Sequence, residues 1–264
     1  MATLSQPKLG QTIISLRQEK KITQEELVER CNVSVRTLQR IEAGEVTPRE
    51  STLRIILDAL EFDYQQMEKT SHIKGRLEKL KIAWICGIIY FITAFVEAGL
   101  DFYRFEVDLP AYFSLLYTTV KIVILGVYIF FMLGFAEVGK NFKHDLMKIT
   151  AYFMLGAMII IEIHDIISLF SAITEEEFFL IKGIESVAFG GINLAFGVAL
   201  FKLGKELGDL SKIAGMLEML AGLFFLTFVL AIFGVFVLIP ATLLETILLY
   251  KVYDSFSNQI QNGQ

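Results

Sequence analysis

"TQEELVERCNVSVRTLQRIEAG", Thr23 to Gly44, decides how the first quarter of the chain is read. Thr23 precedes a run of helix formers and Glu26 stands three residues on, the reciprocal arrangement of a capping box. Leu27 and Cys31 fall four apart, on one face of the helix that this cap opens. Asn32 follows, a residue that enters the left-handed conformation of a tight turn more readily than most, and Val33 anchors that turn. Ser34 caps the next helix, Leu38 and Ile41 turn inward from it, and Gly44 ends it. Two short helices joined by a tight turn are therefore expected over these residues.

The flanking sequence supplies the rest of a small helical core. "KLGQTIISLRQEK" places Leu9, Ile13 and Leu16 on one helical face. Pro48 and Glu50 open a fourth helix carrying Leu53, Ile56, Leu57 and Leu60, and a fifth short helix is expected after "FDY". With Leu38 and Ile41 buried, the third helix must present Val35, Arg36, Thr37, Gln39 and Arg40 to solvent. An arginine bonds the O6/N7 edge of guanine with both arms, and a valine contacts the thymine methyl. Gln24 and Ser34, at helix N-termini, suit phosphate oxygens. Arginines on an exposed helix are commonly a solvated face, but here helix spacing, turn and inward residues agree over more than one motif.

This stretch resembles the phage-repressor/Cro (XRE-type) helix-turn-helix family, through "TQEEL…V…S..TLQRIEAG…P" across residues 8–68. The resemblance implies a five-helix, lambda-repressor-like domain that binds double-stranded DNA as a dimer. It implies base-reading positions at Val35, Arg36 and Arg40, and backbone contacts from Gln24 and Ser34. It also implies an ion pair between Arg17 and Glu42 that ties the first helix to the third. Val28 and Asn32 depart from the family pattern, which has a small alanine and a glycine there, and Val28 bears on how closely the two helices cross.

The remainder of the 264 residues differs in kind. Hydrophobic residues make up 54% of the chain, above the usual range for soluble domains, and nearly all the excess lies beyond Leu80. The apolar runs there are long enough to cross a bilayer. A formal net charge of −5 argues against non-specific coating of nucleic acid, and the first 81 residues are only weakly basic. Cys31 and Cys86 have no disulfide or metal spacing and read as packing residues. The N-terminal "MATLSQPKLGQTI" lacks the apolar core of a signal peptide, so the first membrane helix is expected to direct insertion.

Spans are expected at 82–100, 112–136, 149–172, 178–201, 213–233 and 235–252. The last two require a hairpin near Gly234; a single tilted helix there would leave five spans. The chain divides into a helix-turn-helix domain over 1–69, a basic juxtamembrane linker over 70–81, a transmembrane domain over 82–252 and a polar tail over 253–264. The linker carries Lys74, Arg76, Lys79 and Lys81. Acidic "GLDFYRFEVDLP" and "TEEEF" then alternate with loops bearing Lys140, Lys143 and Lys148, and Lys202, Lys205 and Lys212, with Lys251 after the last span. The positive-inside rule places the N-terminus in the cytoplasm of a bacterial inner membrane. A faint repeat relates 126–149 to 191–213. Gly190, Gly191 and Gly197 permit close helix packing.

Ionisable residues inside or near the spans carry the remaining information, since charge in lipid is costly unless paired or hydrated. Glu97, Asp101, Glu162, His164, Asp165, Lys182 and Glu185 all fall at one level near the outer interface. They form either a sensory pocket for a cation, a proton or a polar ligand, or a wet headgroup layer with no role. Histidine ordinarily titrates near neutral pH, which suits His164 to reporting acidity. Glu218 and Glu245 are expected at the inner interface, hydrated. His72, His144 and His164 lie at different levels and build no zinc centre, and no phosphate loop or nucleophile elbow is present. No catalytic residue, metal or cofactor is expected.

The fold class expected is all-α. The function expected is a membrane-anchored, sequence-specific transcriptional regulator, with DNA, lipid, a second copy of the chain and an unidentified membrane signal as partners. Two rivals are a small transporter or channel, and an interaction module whose head contacts protein.

Overall fold

A computed structural model describes residues 6–62, 64–105, 109–171 and 174–261. The expectations at Glu106 and Asp108, those at 262–264, and those for the side chains of His72 and Lys74 lie outside the described residues. The described chain is helical throughout and divides into two compact units, Met1–Gly75 and Arg76–Gln264.

In the first unit α1 (Lys8–Glu19), α2 (Gln24–Cys31), α3 (Val35–Glu42) and α4 (Glu50–Ala59) enclose a core of Leu9, Ile13, Leu27, Cys31, Leu38, Ile41, Leu53, Ile56, Leu57 and Leu60. Of the apolar positions named from the helical spacing all but Leu16 are in it, and Leu16 packs at its margin with Val28 and Val33. The Thr23 capping box is complete, and the Thr23 N–H holds the Glu26 carboxyl below its ordinary pKa. Asn32 takes φ 51°, the left-handed turn that joins α2 to α3, so asparagine serves there in place of glycine. Ser34 accepts from the Thr37 N–H at 3.2 Å and starts α3. Burial raises the Cys31 thiol pKa, and neither cysteine is bonded to the other.

The fifth helix is not short. α5 runs from Tyr64 to Tyr103, through the linker and into the apolar body. Residues 64–81 hold no proline and are rich in Glu, Lys, Leu and Arg, all strong helix formers, so nothing stops the helix there.

The second unit continues with α6 (Phe113–Asn141), α7 (Asp145–Phe170), α8 (Glu175–Leu207), α9 (Asp209–Leu226) and α10 (Ala231–Gln261). Residues 253–261 of the polar tail are helical and continue α10. Five helices, over 75–103, 113–141, 145–170, 175–207 and 231–259, are long and apolar enough to cross a membrane. Large apolar side chains line their outer faces, among them Phe153, Leu180 and Phe236. Exposure on that scale fits a lipid-facing surface. α9 falls below the five in apolar character because Asp209, Lys212 and Glu218 lie within it, and its 18 residues span only about 27 Å.

The α9–α10 reversal corrects the placement expected at Gly234. The chain turns at residues 227–230, where Thr227 Oγ1 donates to the Phe224 carbonyl at 2.8 Å and Phe228 takes φ 53°. Gly234 lies inside α10, where a Cβ would approach the Ala221 carbonyl at 3.2 Å. Its lack of a side chain serves helix approach, not chain reversal.

The repeat coincides with two tight helical hairpins, α6–α7 and α8–α9. In each, a glycine on the first helix (Gly139, Gly204) faces a lysine on the second (Lys148, Lys212). The α8–α9 pair packs most closely. A Cβ on Gly215 would fall 2.6 Å from the Gly197 carbonyl, and one on Gly222 would fall 2.8 Å from that of Gly190. Ser186 and Ser211 bond carbonyls across the same seam, at 2.9 and 2.7 Å. Gly215→Val is expected to cost about 1–3 kcal/mol by forcing these backbones apart, measured as thermal unfolding in detergent. Gly191, with nothing near it, is the control position.

Candidate functional site

The helix-turn-helix face is built on α3. Leu38 and Ile41 anchor it to the core, which leaves Arg36, Thr37, Gln39 and Arg40 exposed, with Ser34 at its cap. Val35 is half-buried. Arg17 and Glu42 pair as the resemblance implied, with Nε to Oε1 at 2.8 Å and Nη2 to Oε2 at 3.2 Å. The Arg17 Nη1 also donates to the Ile22 carbonyl.

Gln24 adds a link that sequence reasoning had assigned only to the DNA backbone. Its Nε2 donates to Glu42 Oε2 at 2.5 Å, and its Oε1 accepts from Gln39 Nε2 at 3.2 Å. The chain Arg17–Glu42–Gln24–Gln39 thus ties the hidden ion pair to the exposed face of α3. Glu42→Ala removes the shared acceptor and is expected to cost the head about 2 kcal/mol. Thermal unfolding of fragment 1–75, a compact unit, is the measurement, and an unchanged midpoint would sink the assignment.

The membrane body gathers all seven ionisable residues singled out near its outer level. Their organiser is Lys121 of α6, only 2% exposed. Its ammonium meets Glu97 at 2.6 Å, Asp165 at 2.9 Å, Asp101 at 3.2 Å and Glu162 at 3.5 Å. Lys182 bridges Asp165 at 2.5 Å and Glu185 at 2.9 Å, and His164 Nδ1 lies 2.8 Å from Glu185. Tyr117 donates to Asp101 at 2.6 Å. Arg104 donates to Tyr117 and Ser168, with its guanidinium 4.5 Å from the Phe178 ring centre. Four helices thereby contribute to one network of Glu97, Asp101, Glu162, Asp165 and Glu185 against Lys121, Lys182 and Arg104.

The centre of this network is not open to solvent, although Asp101 and Lys182 at its edge are partly exposed. Glu162 is 1% exposed and Asp165 is buried with it. Lys121, Tyr117 and Arg104 were missed in the sequence, although a lysine two turns inside an apolar run is itself a signal that partners must exist. His164, Asp165 and Glu185 bring ligand atoms within 4.8 Å of one another, but the Lys182 ammonium already sits between two of them. Beside Glu185 an apolar cleft of about 270 Å³ opens between α7 and α8, lined by Tyr152, Phe153, Ile160, Phe189 and Ile192.

The expectation that Glu218 and Glu245 are hydrated is also corrected. They are 2% and 3% exposed, packed inside the bundle with Asn193. Helical rise alone put them near the inner interface; the packing of α8, α9 and α10 closes over them.

Residues 8–69 match a family model described as a helix-turn-helix domain, which implies DNA binding by the head. No curated protein matches the chain, and no solved structure does.

Proposed function

We propose that this protein is a membrane-anchored, sequence-specific transcriptional regulator of the XRE type, with its helical body serving as anchor and sensor. The observation that carries the proposal is the exposed Arg36–Arg40 face of α3, on a helix-turn-helix head, in a chain with five membrane-capable helices. A groove-reading helix needs exposed side chains of this kind on a helix held rigidly from behind. The Lys79–Glu137 contact at 3.4 Å and the alternating helix order bring the basic linker and the lysine-bearing turns near 142–144 and 208 to one end of the body. That end is cytoplasmic by the positive-inside rule, the side on which a bacterial chromosome lies.

The Lys121 network supports the sensor role. It joins four helices through ion pairs and hydrogen bonds, so a polar or cationic ligand that competes for its carboxylates shifts their packing. A shift in body packing or dimer state then changes how two heads engage an inverted repeat. Genome-wide crosslinking of the intact protein in its own cells, beside Arg36→Ala/Arg40→Ala, is the test. Discrete peaks that share an inverted repeat and vanish in the double variant are expected. Peaks indistinguishable between the two proteins would overturn the regulator reading and favour transport or protein contact.

A further inference from the structure

The charges of the outer network have counter-charges, but a second group of anions does not. Glu218 on α9 and Glu245 on α10 are neighbours inside the bundle, and Asn193 on α8 lies against Glu218. The glycine crossings bracket this point: Asn193 lies between Gly190 and Gly197, and Glu218 between Gly215 and Gly222. The close backbones let Asn193 Nδ2 donate to the Glu218 carbonyl at 3.0 Å. Three oxygens remain buried with no hydrogen-bond partner: Asn193 Oδ1, Glu218 Oε2 and Glu245 Oε1. Asn193 itself is 0% exposed. From the other helices, the Tyr128 hydroxyl of α6, also buried and without a partner, and Tyr90 of α5 feel the charge of this pair, and Tyr90 that of Glu97 and Glu162 as well. Among the described residues, no lysine, arginine or histidine is paired with Glu218 or Glu245.

Two neighbouring carboxylates inside an apolar bundle repel strongly unless a positive charge lies between them. An all-oxygen donor set suits a proton or a hard alkali cation and disfavours soft transition metals. We propose that Asn193, Glu218 and Glu245 form a buried site for one monovalent cation, a proton or an alkali ion, that pins α8, α9 and α10 together. The site is separate from the Lys121 network and does not depend on the head binding DNA.

A cation that binds the folded state alone raises its stability by mass action. The test is thermal unfolding of the full chain in detergent, in sodium chloride or choline chloride, across a range of pH. Wild type is compared with Glu218→Gln/Glu245→Gln, which keeps the shape and removes both charges. If an alkali ion is the ligand, sodium raises the wild-type midpoint at constant pH. If it is a proton, sodium has no effect and the midpoint falls as pH rises. Either dependence must be abolished in the double variant for the site to stand. The same sodium and pH dependence in both proteins overturns it, because the Lys121 network is common to both. Should the double variant fail to accumulate, Glu245→Gln alone is compared in the same way, and an unchanged dependence again overturns the site.

Discussion

Lys121→Met will destabilise the membrane body by about 3–5 kcal/mol, the range for removing one partner from a buried ionic group. Lys121 is 2% exposed and meets Glu97, Asp101, Glu162 and Asp165 within 3.5 Å. Methionine preserves much of the aliphatic stem and removes the charge, so the loss reports electrostatics and not a cavity. Lys182 remains on Asp165, and Arg104 reaches Asp101 only through Tyr117. Glu97 and Glu162 are then left without a cation. The check is thermal unfolding in detergent of Lys121→Met, Glu162→Gln and the double variant. Neutralising Glu162 removes one of the stranded anions, so the double variant is expected to lose less than the sum of the two single changes. A loss below about 1 kcal/mol, typical of solvent-screened pairs, would show the network to be hydrated after all.

With the head reading DNA as proposed, Arg36→Ala/Arg40→Ala is expected to weaken binding to its operator by about 2–6 kcal/mol, from about 1–3 for each bidentate base contact. Arg40 contacts Glu45 at 3.4 Å, but both side chains are more than half exposed. Such a pair is worth little and does not hold the arginine back from DNA. Arg36 is exposed on the same face of α3. Binding to unrelated duplex rests on phosphate charge, so it is expected to fall much less, and the gap between operator and random sequence closes. Titrations of both duplexes at several salt concentrations, using the operator that crosslinking identifies, provide the measurement. Equal losses on both duplexes would reassign the two arginines to phosphate contact.

How legible was this in the residues themselves? The head was readable almost to the side chain, because its signals are local. Thr23, Asn32, Ser34 and Leu38 each act on neighbours within one or two helical turns. The seven outer ionisable residues were also visible one by one, from the rarity of charge in apolar runs. Their organiser was missed: Lys121 stands alone in its own stretch of α6, and its four carboxylates come from α5 and α7, 20 or more residues away. The α9–α10 turn was assigned to Gly234 because glycine is the usual sign of a break. The actual turn uses Thr227 to Leu230, and Gly234 answers a packing demand from α9 that leaves no mark in its own neighbourhood.

The sequence by itself determined a helix-turn-helix head and a run of membrane-capable helices, and marked the apolar runs that carry charge. Caps, periodicity and hydropathy are properties of contiguous residues and survive reading in one dimension. Only the tertiary structure decided which charges meet and which are sealed from water. It brought Lys121 to four carboxylates, made Gln24 a link between the Arg17–Glu42 pair and the exposed face of α3, and enclosed Glu218, Glu245 and Asn193 at a glycine-lined crossing. The free energy of a buried charge depends on what lies within a few ångströms of it, and in a helical bundle those neighbours come from other helices.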